Sequence, residues 1–180
     1  MINTSLDFIT KEINAHLNQI AGSDQRDFII ATSITSDGKL AIPRGKLGLS
    51  LINIEEEKLL RNKNVTAHNV ADSIEYLNLP LYLNLYVLIA ANFNTAESNS
   101  NNANYLEGLK RLSDVISFFQ HKNVFTKSNS PLLFKTDPGI DRISAVLVNF
   151  NFEQMSQFWS ISGHSYLPAI VYKLGIQAIQ

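Results

Sequence analysis

The sequence predicts an α+β domain, built as a mixed, mostly antiparallel sheet of about five strands with two long helices packed on one face. One observation behind this prediction is a long stretch of period-two hydrophobicity at residues 79–93. Two others are helical apolar stripes, one near the N-terminus and one at residues 105–119. With 180 residues, 45% of them hydrophobic, the chain can bury a core as one domain over residues 1–180.

Residues 79–93 form the strand around which the rest of the chain is organised. Every odd-numbered residue from Leu79 to Phe93 is apolar, while the even-numbered positions include Tyr82 and Tyr86. Side chains in a strand alternate between the two faces of the sheet, so one face is continuously hydrophobic. The stretch is longer than an ordinary strand of about 5–6 residues, which favours a central position in the sheet.

The N-terminal stripe predicts an amphipathic helix of about five turns. Its apolar residues recur at steps of three and four: Ile2, Leu6, Ile9, Ile13, Leu17 and Ile20. Asn3, Thr4 or Ser5 is expected to cap the start of this helix. Gly22 fits its C-terminal end, because glycine readily adopts the left-handed conformation found there.

An Asn/Ser-rich segment at about residues 94–104 separates the central strand from the second long helix. It has too little apolar surface to offset the entropy of ordering, so we expect a mobile loop. Helical spacing resumes at Tyr105 and continues through Phe119. The helix is predicted to end near residues 121–123, where His121 and Lys122 suit the negative end of the helix dipole.

Shorter apolar runs predict the remaining strands, at residues 28–34, 47–54, 131–135 (a short edge strand), 143–150 (a buried interior strand) and 168–179. The acidic run Glu55–Glu57 is expected to end the second of these as a solvated strand end. Asp37-Gly38 and Asp137-Pro138-Gly139 are turn signals. The polar stretch from 58 to 78 supports at most a short turn at 72–77.

A short helix is predicted before the final strand. Asn151 and Gln154 have the spacing of a capping box, and Gly163 marks the C-terminal end. The expected apolar face consists of Phe152, Met155, Phe158 and Trp159. We therefore expect Trp159 to be buried.

Composition and spacing argue against several kinds of function. Fifteen basic and 16 acidic residues give a net charge of −1, which favours neither a nucleic acid nor an anionic membrane as a partner. The absence of cysteine excludes disulfides and thiolate sites. The four histidines are scattered singly, so no metal, cofactor or catalytic residue is predicted. Without a signal peptide or spanning segment, the chain is expected to be soluble and made in the cytosol.

Aromatic residues are the best candidates for a binding surface. Tyr82 and Tyr86 share the less apolar face of the central strand, and Trp159, Tyr166 and Tyr172 cluster near the C-terminus in sequence. One interpretation is packing within the core and on the sheet. The other is a protein interface, where Tyr and Trp are enriched.

Three segments in order resemble one known family. They are LPLYLNLYVLIAA at 79–91, YLEGLKRLSDVISFF at 105–119 and EQMSQFWSISGHSYLPAIVYK at 153–173. Together they resemble the cap, or tail-terminator, proteins of phage-tail-like contractile injection systems, such as antifeeding-prophage and virulence-cassette particles. The last segment is the most specific part of the resemblance, and it adds Pro168 to the candidate partner-binding residues.

The resemblance implies a structural role without catalysis. It suggests a six-fold ring of copies on the end of the inner tube, which contacts the last sheath ring and stops growth. The partners would be the protein itself and the tube and sheath proteins of a particle assembled in the cytoplasm. Neither nucleic acid nor membrane is expected as a partner.

Two other functions remain open from the residues alone. One is a soluble adaptor that binds a partner through the final strand, residues 168–179, if that strand lies at an edge of the sheet. The other is a small-ligand enzyme whose site is assembled from single residues without a recognisable motif. For the cap, the final strand is likewise expected to be free to pair across subunits or with the sheath, so that truncation after Lys173 abolishes capping. If the final strand is instead internal, that truncation should unfold the domain.

Overall fold

The computed structural model describes residues 1–23, 25–57, 80–93, 101–163 and 165–178. Within these residues the helices are α1 Ile2–Ala21, α2 Asn101–His121, α3 Pro131–Thr136 and α4 Phe152–Ser162. The strands are β1 Ile29–Ala31, β2 Thr35–Ser36, β3 Lys39–Leu40, β4 Lys46–Glu56, β5 Leu81–Asn92, β6 Val124–Thr126, β7 Ile140–Val148 and β8 Ala169–Ala178. The predicted α+β class is confirmed.

The described strands form one six-stranded sheet in the order β1-β4-β5-β8-β7-β6, and β2 and β3 form a separate hairpin. Only the β1–β4 pair is parallel, so the sheet is mixed and mostly antiparallel as predicted. Its six described strands compare with the predicted number of about five, and they differ in position from the predicted ones as described below. β5 pairs with β4 on one side and β8 on the other, which confirms its central position. The hairpin turns at Asp37-Gly38, where both residues have positive φ.

Both long helices pack on one face of the sheet. The apolar stripe of α1 contributes Ile9, Ile13 and Leu17, each fully buried, to the same core as the odd-numbered residues of β5. Val115 and Phe119 of α2 join this core. The period-two stripe of β5 and the helical stripes of α1 and α2 therefore meet in one core.

The opposite face of the sheet is covered at one end by α4 and the β2–β3 hairpin. Trp159 of α4 packs there with Leu88 of β5 and Val171 of β8. The predicted capping box is present, since Asn151 Oδ1 accepts from the Gln154 backbone N–H at 2.8 Å. Phe152, however, is 97% exposed, so its predicted place on the apolar face is wrong.

The final strand lies inside the sheet rather than at its edge. β8 pairs along its length with β5 on one side and with β7 on the other. The prediction of an edge strand free to pair with a partner is wrong for this reason. Its residues Tyr172, Leu174 and Ile176 do share one face, as predicted.

β7 is less buried than its sequence suggested. It pairs with β6 only over residues 142–144, and beyond that point Val146 and Leu147 are 54% and 44% exposed. The run is apolar on both alternating sets, but Val146 lies on the part of the second face that α4 does not cover, and β6 pairs with β7 only as far as Ser144. The prediction of a strand buried on both faces is therefore wrong at this end.

Residues 131–135 form the helix α3 rather than the predicted edge strand. Pro131 stands at the first turn of α3, where its fixed φ and missing N–H suit a helix better than a strand ladder. The edge position beside β7 is taken by β6 instead. The predicted turn at residues 137–139 is confirmed by the bond from the Ile140 N–H to the Asp137 carbonyl.

Two boundaries near the N-terminus also differ. α1 begins at Ile2, so the expected capping residues 3–5 lie inside the helix, because Ile2 already packs against the core. Gly22 ends α1 in the left-handed conformation as predicted. The strand predicted at 28–34 stops at Ala31, and Ile34 leaves the sheet edge to pack in the layer of α4.

The Asn/Ser-rich segment is partly helical, because α2 begins at Asn101 and so includes residues 101–104. Its remaining residues 94–100 lie outside the described part of the chain, and their mobility stays a prediction. The polar stretch 58–78, with its suggested turn at 72–77, also lies outside the described residues.

At Gly48 the backbone of β4 lies close to Ile42 in the layer above it. A Cβ added at Gly48 would lie 2.5 Å from Ile42 Cγ1, and Ile42 is itself buried. We expect Gly48→Ala to lower the free energy of unfolding by about 1–3 kcal/mol, because the extra carbon overpacks a closed site. Urea unfolding at neutral pH measures this.

A double-mutant cycle supplies the control for Gly48. In an Ile42→Ala background the clashing atoms are gone, so adding Gly48→Ala should cost less than about 0.5 kcal/mol. An equal cost in both backgrounds would contradict the clash and would place the effect in the backbone of β4.

Candidate interaction surface

α4 covers only one half of the second face of the sheet. The other half carries mostly polar side chains. We call this surface the open half-face and define it by residues of four neighbouring strands and the residue that follows β4: Glu55, Glu57, Tyr82, Asn84, Tyr86, Arg142, Ser144, Val146, Lys173, Gly175 and Gln177. Most of these residues line one concavity of about 290 Å³. Its lining is mixed polar and apolar, which suits a protein surface better than an apolar ligand.

Strand register determines which side chains meet on the open half-face. Tyr86 lies between Asn53 of β4 and Lys173 of β8, and Val146 of β7 follows in the same row. A bulge between Leu51 and Asn53 shifts the register of β4 by one residue. Because side chains alternate along a strand, this shift brings the odd-numbered end of β4 to the same face as Tyr86.

The acidic side of the open half-face is held by hydrogen bonds. The Tyr86 hydroxyl donates to Glu55 Oε2 at 3.0 Å, and Asn53 Nδ2 donates to Glu55 Oε1 at 2.9 Å. Asn84, which is buried, donates through Nδ2 to Glu57 Oε2 at 3.1 Å. These bonds fix two carboxylates in place without burying them.

Tyr86 is protonated at physiological pH, as an ordinary tyrosine is, and its surroundings reinforce this state. Partial desolvation, then the hydrogen bond to Glu55 and the negative charges of Glu55 and Glu57 raise the pKa of the Tyr86 hydroxyl above its usual value. The hydroxyl therefore remains a donor to Glu55 at physiological pH. Its aromatic ring stays available to a partner, because the residue is only half-buried.

The floor of the concavity depends on Gly175. A Cβ at this position would lie 2.9 Å from Ser144 Oγ and 3.7 Å from Asn84 Oδ1. Arg142 and Lys173 stand on the β7–β8 side, opposite the two carboxylates on the β4 side. The open half-face is thus a shallow surface with acidic and basic sides and aromatic side chains between them.

The six candidate residues from the sequence do not form one cluster. Tyr82 and Tyr86 belong to the open half-face. Trp159 of α4 is 5% exposed and packs against the second face of the sheet. Tyr172 is 3% exposed on the opposite face, where its ring centroid lies 4.3 Å from that of Phe119. Burial raises the pKa of Tyr172.

Tyr166 and Pro168 lie beside the α4 layer. Tyr166 is 63% exposed, with its ring centroid 6.1 Å from that of Trp159. Pro168 is half-buried, and its carbonyl accepts a hydrogen bond from the Ala91 N–H, which anchors the start of β8. Of the three C-terminal aromatic residues, Tyr166 alone offers most of its surface to a partner.

Sequence reasoning missed the charged members of this surface. The acidic run at residues 55–57 has the pattern of a solvated strand end, and no motif distinguishes Arg142 or Lys173. Side chains alternate between the faces along β8, and Lys173 is the register partner of Tyr86. Its place on the same face can therefore be predicted only when the pairing of β8 with β5 is known. The bulge in β4 has no sequence signal of that kind.

The described residues contain no group of three or more His, Cys, Asp or Glu side chains arranged to hold a metal ion. Among the helices described, none is both long and apolar enough to cross a membrane. Neither observation adds a binding site to the open half-face.

Residues 6–180 match the family model described as the Pvc16 N-terminal domain. No curated protein matches the chain.

Among solved structures, the fold is similar to the sheath/tube terminator of PVC, an extracellular contractile injection system, seen by cryo-EM in the extended state. The TM-score is 0.52 at 12% sequence identity. The likeness covers 94% of this chain but 56% of that one, so this chain spans little more than half of the terminator's length.

Proposed function

The chain belongs to the Pvc16 N-terminal domain family, and on that premise we propose that it is the cap, or tail terminator, of a contractile phage-tail-like injection particle. The observation that carries the proposal is the family match, which extends over residues 6–180. The likeness in fold to a sheath/tube terminator supports it independently of sequence identity. The proposed role is structural rather than enzymatic.

We propose the inner tube and the sheath as the partners of this cap, together with further copies of the chain in a six-fold ring. The open half-face supports a protein partner, because it combines the rings of Tyr82 and Tyr86 with charges of both signs. Tyr and Arg are enriched where protein interfaces carry most of their binding energy. The particle would be assembled in the cytoplasm and could act outside the cell.

Two of the candidate residues contribute differently to this proposal. Trp159 and Tyr172 are buried, so they support the cap through packing of the two layers. Tyr166, which is exposed, remains a candidate for partner contact together with Pro168 beside it. The adaptor alternative loses its proposed contact, because β8 already has a strand on each side.

The direct test is to assemble particles without this protein and to examine them by electron microscopy. If the protein is the cap, we expect tubes of widely varying length that lack a defined terminal ring. Adding back the wild-type chain should restore a uniform length. Particles of normal length with a normal terminal ring would show that another protein ends the tube.

Charge reversal on the open half-face tests the proposed contact. We expect the Arg142→Glu/Lys173→Glu chain to remain folded, because Arg142 is exposed and Lys173 half-buried, and to fail to restore tube length. Lys110→Glu, an exposed reversal on α2, is the matched control and should restore it. Normal capping by the double variant would exclude the open half-face as the contact surface.

A further inference from the structure

Gly175 leaves a gap in the β7–β8 side of the open half-face. In the sheet register it lies between Ser144 of β7 and Asn84 of β5. A Cβ at this position would lie 2.9 Å from Ser144 Oγ and 3.7 Å from Asn84 Oδ1, so the missing side chain leaves both polar atoms uncovered. All three residues line the concavity. We call this gap the Gly175 notch.

Two cationic side chains flank the Gly175 notch along the strands. Lys173 lies two residues before Gly175, and Arg142 is the register partner of Gln177, two residues after it. Residues two apart on a strand share a face and are about 7 Å apart, which the long side chains of lysine and arginine can span. Both cations line the same concavity as Gly175. An anion above the notch would therefore lie within reach of both.

The charges of these two cations are not cancelled by a neighbouring acid. Among the residues that the structure describes, neither cation takes part in an ion pair. Asp141, next in sequence, pairs with Lys127 at 3.8 Å instead. Glu55 and Glu57 accept hydrogen bonds on the β4 side, two strand spacings or about 10 Å from β8.

The uncharged polar atoms of the notch determine where an anion would bind. Ser144 Oγ lies 3.4 Å from the Gly175 carbonyl oxygen, longer than an ordinary O–H···O bond, so its hydroxyl can turn to a ligand at little cost. Asn84 donates through Nδ2 to Glu57, which leaves Oδ1, an acceptor, towards the notch. This oxygen repels an anion and favours the β7 side, beside Ser144.

The rest of the open half-face indicates which class of anion fits. A nucleic acid or an anionic membrane would bring many negative charges against Glu55 and Glu57, on a chain whose net charge is −1. A single carboxylate on a polypeptide avoids this repulsion, and the polypeptide can pack on the rings of Tyr82 and Tyr86. The surroundings therefore favour an acidic side chain of a protein.

We propose that the Gly175 notch receives an Asp or Glu side chain of a partner protein, and that Lys173, Arg142 and Ser144 bind its carboxylate. Hydrogen bonds between charged groups of this kind are stronger than neutral ones. The identity of the partner as the tube or sheath protein rests on the proposed function. The inference deepens that function by naming the chemical group that the open half-face recognises.

A carboxylate built into the notch tests its preference on the purified full chain. Gly175→Asp brings its own carboxylate, whereas Gly175→Asn has the same shape without the charge, so any strain from the new Cβ is common to both. We expect the Gly175→Asp chain to melt about 2–4 °C higher than the Gly175→Asn chain. Adding Arg142→Gln and Lys173→Gln to both chains should remove the difference.

Asn53→Asp is the matched control on the acidic side of the same face. Asn53 Nδ2 donates to Glu55 Oε1 at 2.9 Å. Replacing this amide with a carboxylate removes the donor and places a second negative charge beside Glu55, so the melting temperature should fall. The exchange of an amide for a carboxylate should thus have opposite effects on the two sides of the open half-face.

Charge exchange in assembled particles tests the partner. We expect Lys173→Glu to weaken capping and to broaden the distribution of tube lengths. In that background, Asp and Glu residues of the tube and sheath proteins are replaced by Lys one at a time. At least one replacement should restore uniform length, and the protein that carries it is the partner.

Three outcomes would overturn the inference. A Gly175→Asn chain as stable as the Gly175→Asp chain would show that the notch does not favour a carboxylate. A difference that persists without Arg142 and Lys173 would show that these cations do not bind it. Failure of every charge exchange would reject an acidic side chain of the tube or sheath as the occupant.

The melting comparison is independent of the proposed function. Capped particles together with no advantage of Gly175→Asp would reject the notch alone. Particles that end normally without this protein would reject the cap alone, because the preference of the notch is measured on the purified chain.

Discussion

Replacing Trp159 with Ala is expected to lower the free energy of unfolding by about 3–5 kcal/mol. The indole is 5% exposed and joins α4 to the sheet through Leu88 and Val171. Its removal leaves a cavity that the neighbouring strands cannot close, because β5 and β8 are fixed by their own pairing. Thermal and urea unfolding measure the loss.

Phe152→Ala is the matched control for Trp159. Both are large aromatic residues of α4, but Phe152 is 97% exposed. Its substitution should change the free energy of unfolding by less than about 0.5 kcal/mol. Equal stability of the Trp159→Ala and wild-type chains would show that the indole does not hold the second layer in place.

Truncation of the chain after Lys173 is expected to abolish folding. The deletion removes Leu174 and Ile176, both buried in the main core, and leaves half of β5 and β7 without their common partner strand. Loss of this packing and pairing exceeds the stability of an ordinary domain, about 5–15 kcal/mol. Far-UV circular dichroism and thermal melting of the purified chain measure the result.

A chain ending at Ala178 is the control for the truncation, because it keeps all of β8. It should melt cooperatively near the wild-type temperature. If the chain truncated after Lys173 folded but failed to cap tubes, the end of β8 would serve a partner instead of the core.

Local patterns predicted the elements whose sequence periods are long and regular. β5, α1 and α2 each repeat a strand or helix period several times. A pattern of that length distinguishes helix from strand without knowledge of the tertiary contacts. The capping box of α4 was also predictable, because its hydrogen bonds join residues three apart in the chain. The prediction for α3 is wrong because the element has only six residues. An apolar run of that length is compatible with a short strand and equally with less than two turns of helix.

The surface was harder to predict than the fold. Tyr82 and Tyr86 were identified from alternation within one strand, which is a local property. Lys173 and Glu55 reach the same face only through the pairing of three strands and the bulge in β4. Tyr172 was grouped with Trp159 by closeness in sequence, yet β8 sends its even-numbered residues to the opposite face.

The amino-acid sequence is enough to predict the α+β class, the central strand, the long N-terminal and central helices and the resemblance to a tail-terminator family. These depend on hydrophobic period, capping residues and contiguous motifs, all of which are local. The internal position of β8, the exposure of Phe152 and the polar half of one sheet face follow instead from strand pairing and packing. Strand order and the coverage of each face arise from contacts between distant segments, and no short stretch of sequence encodes which distant segment will provide them.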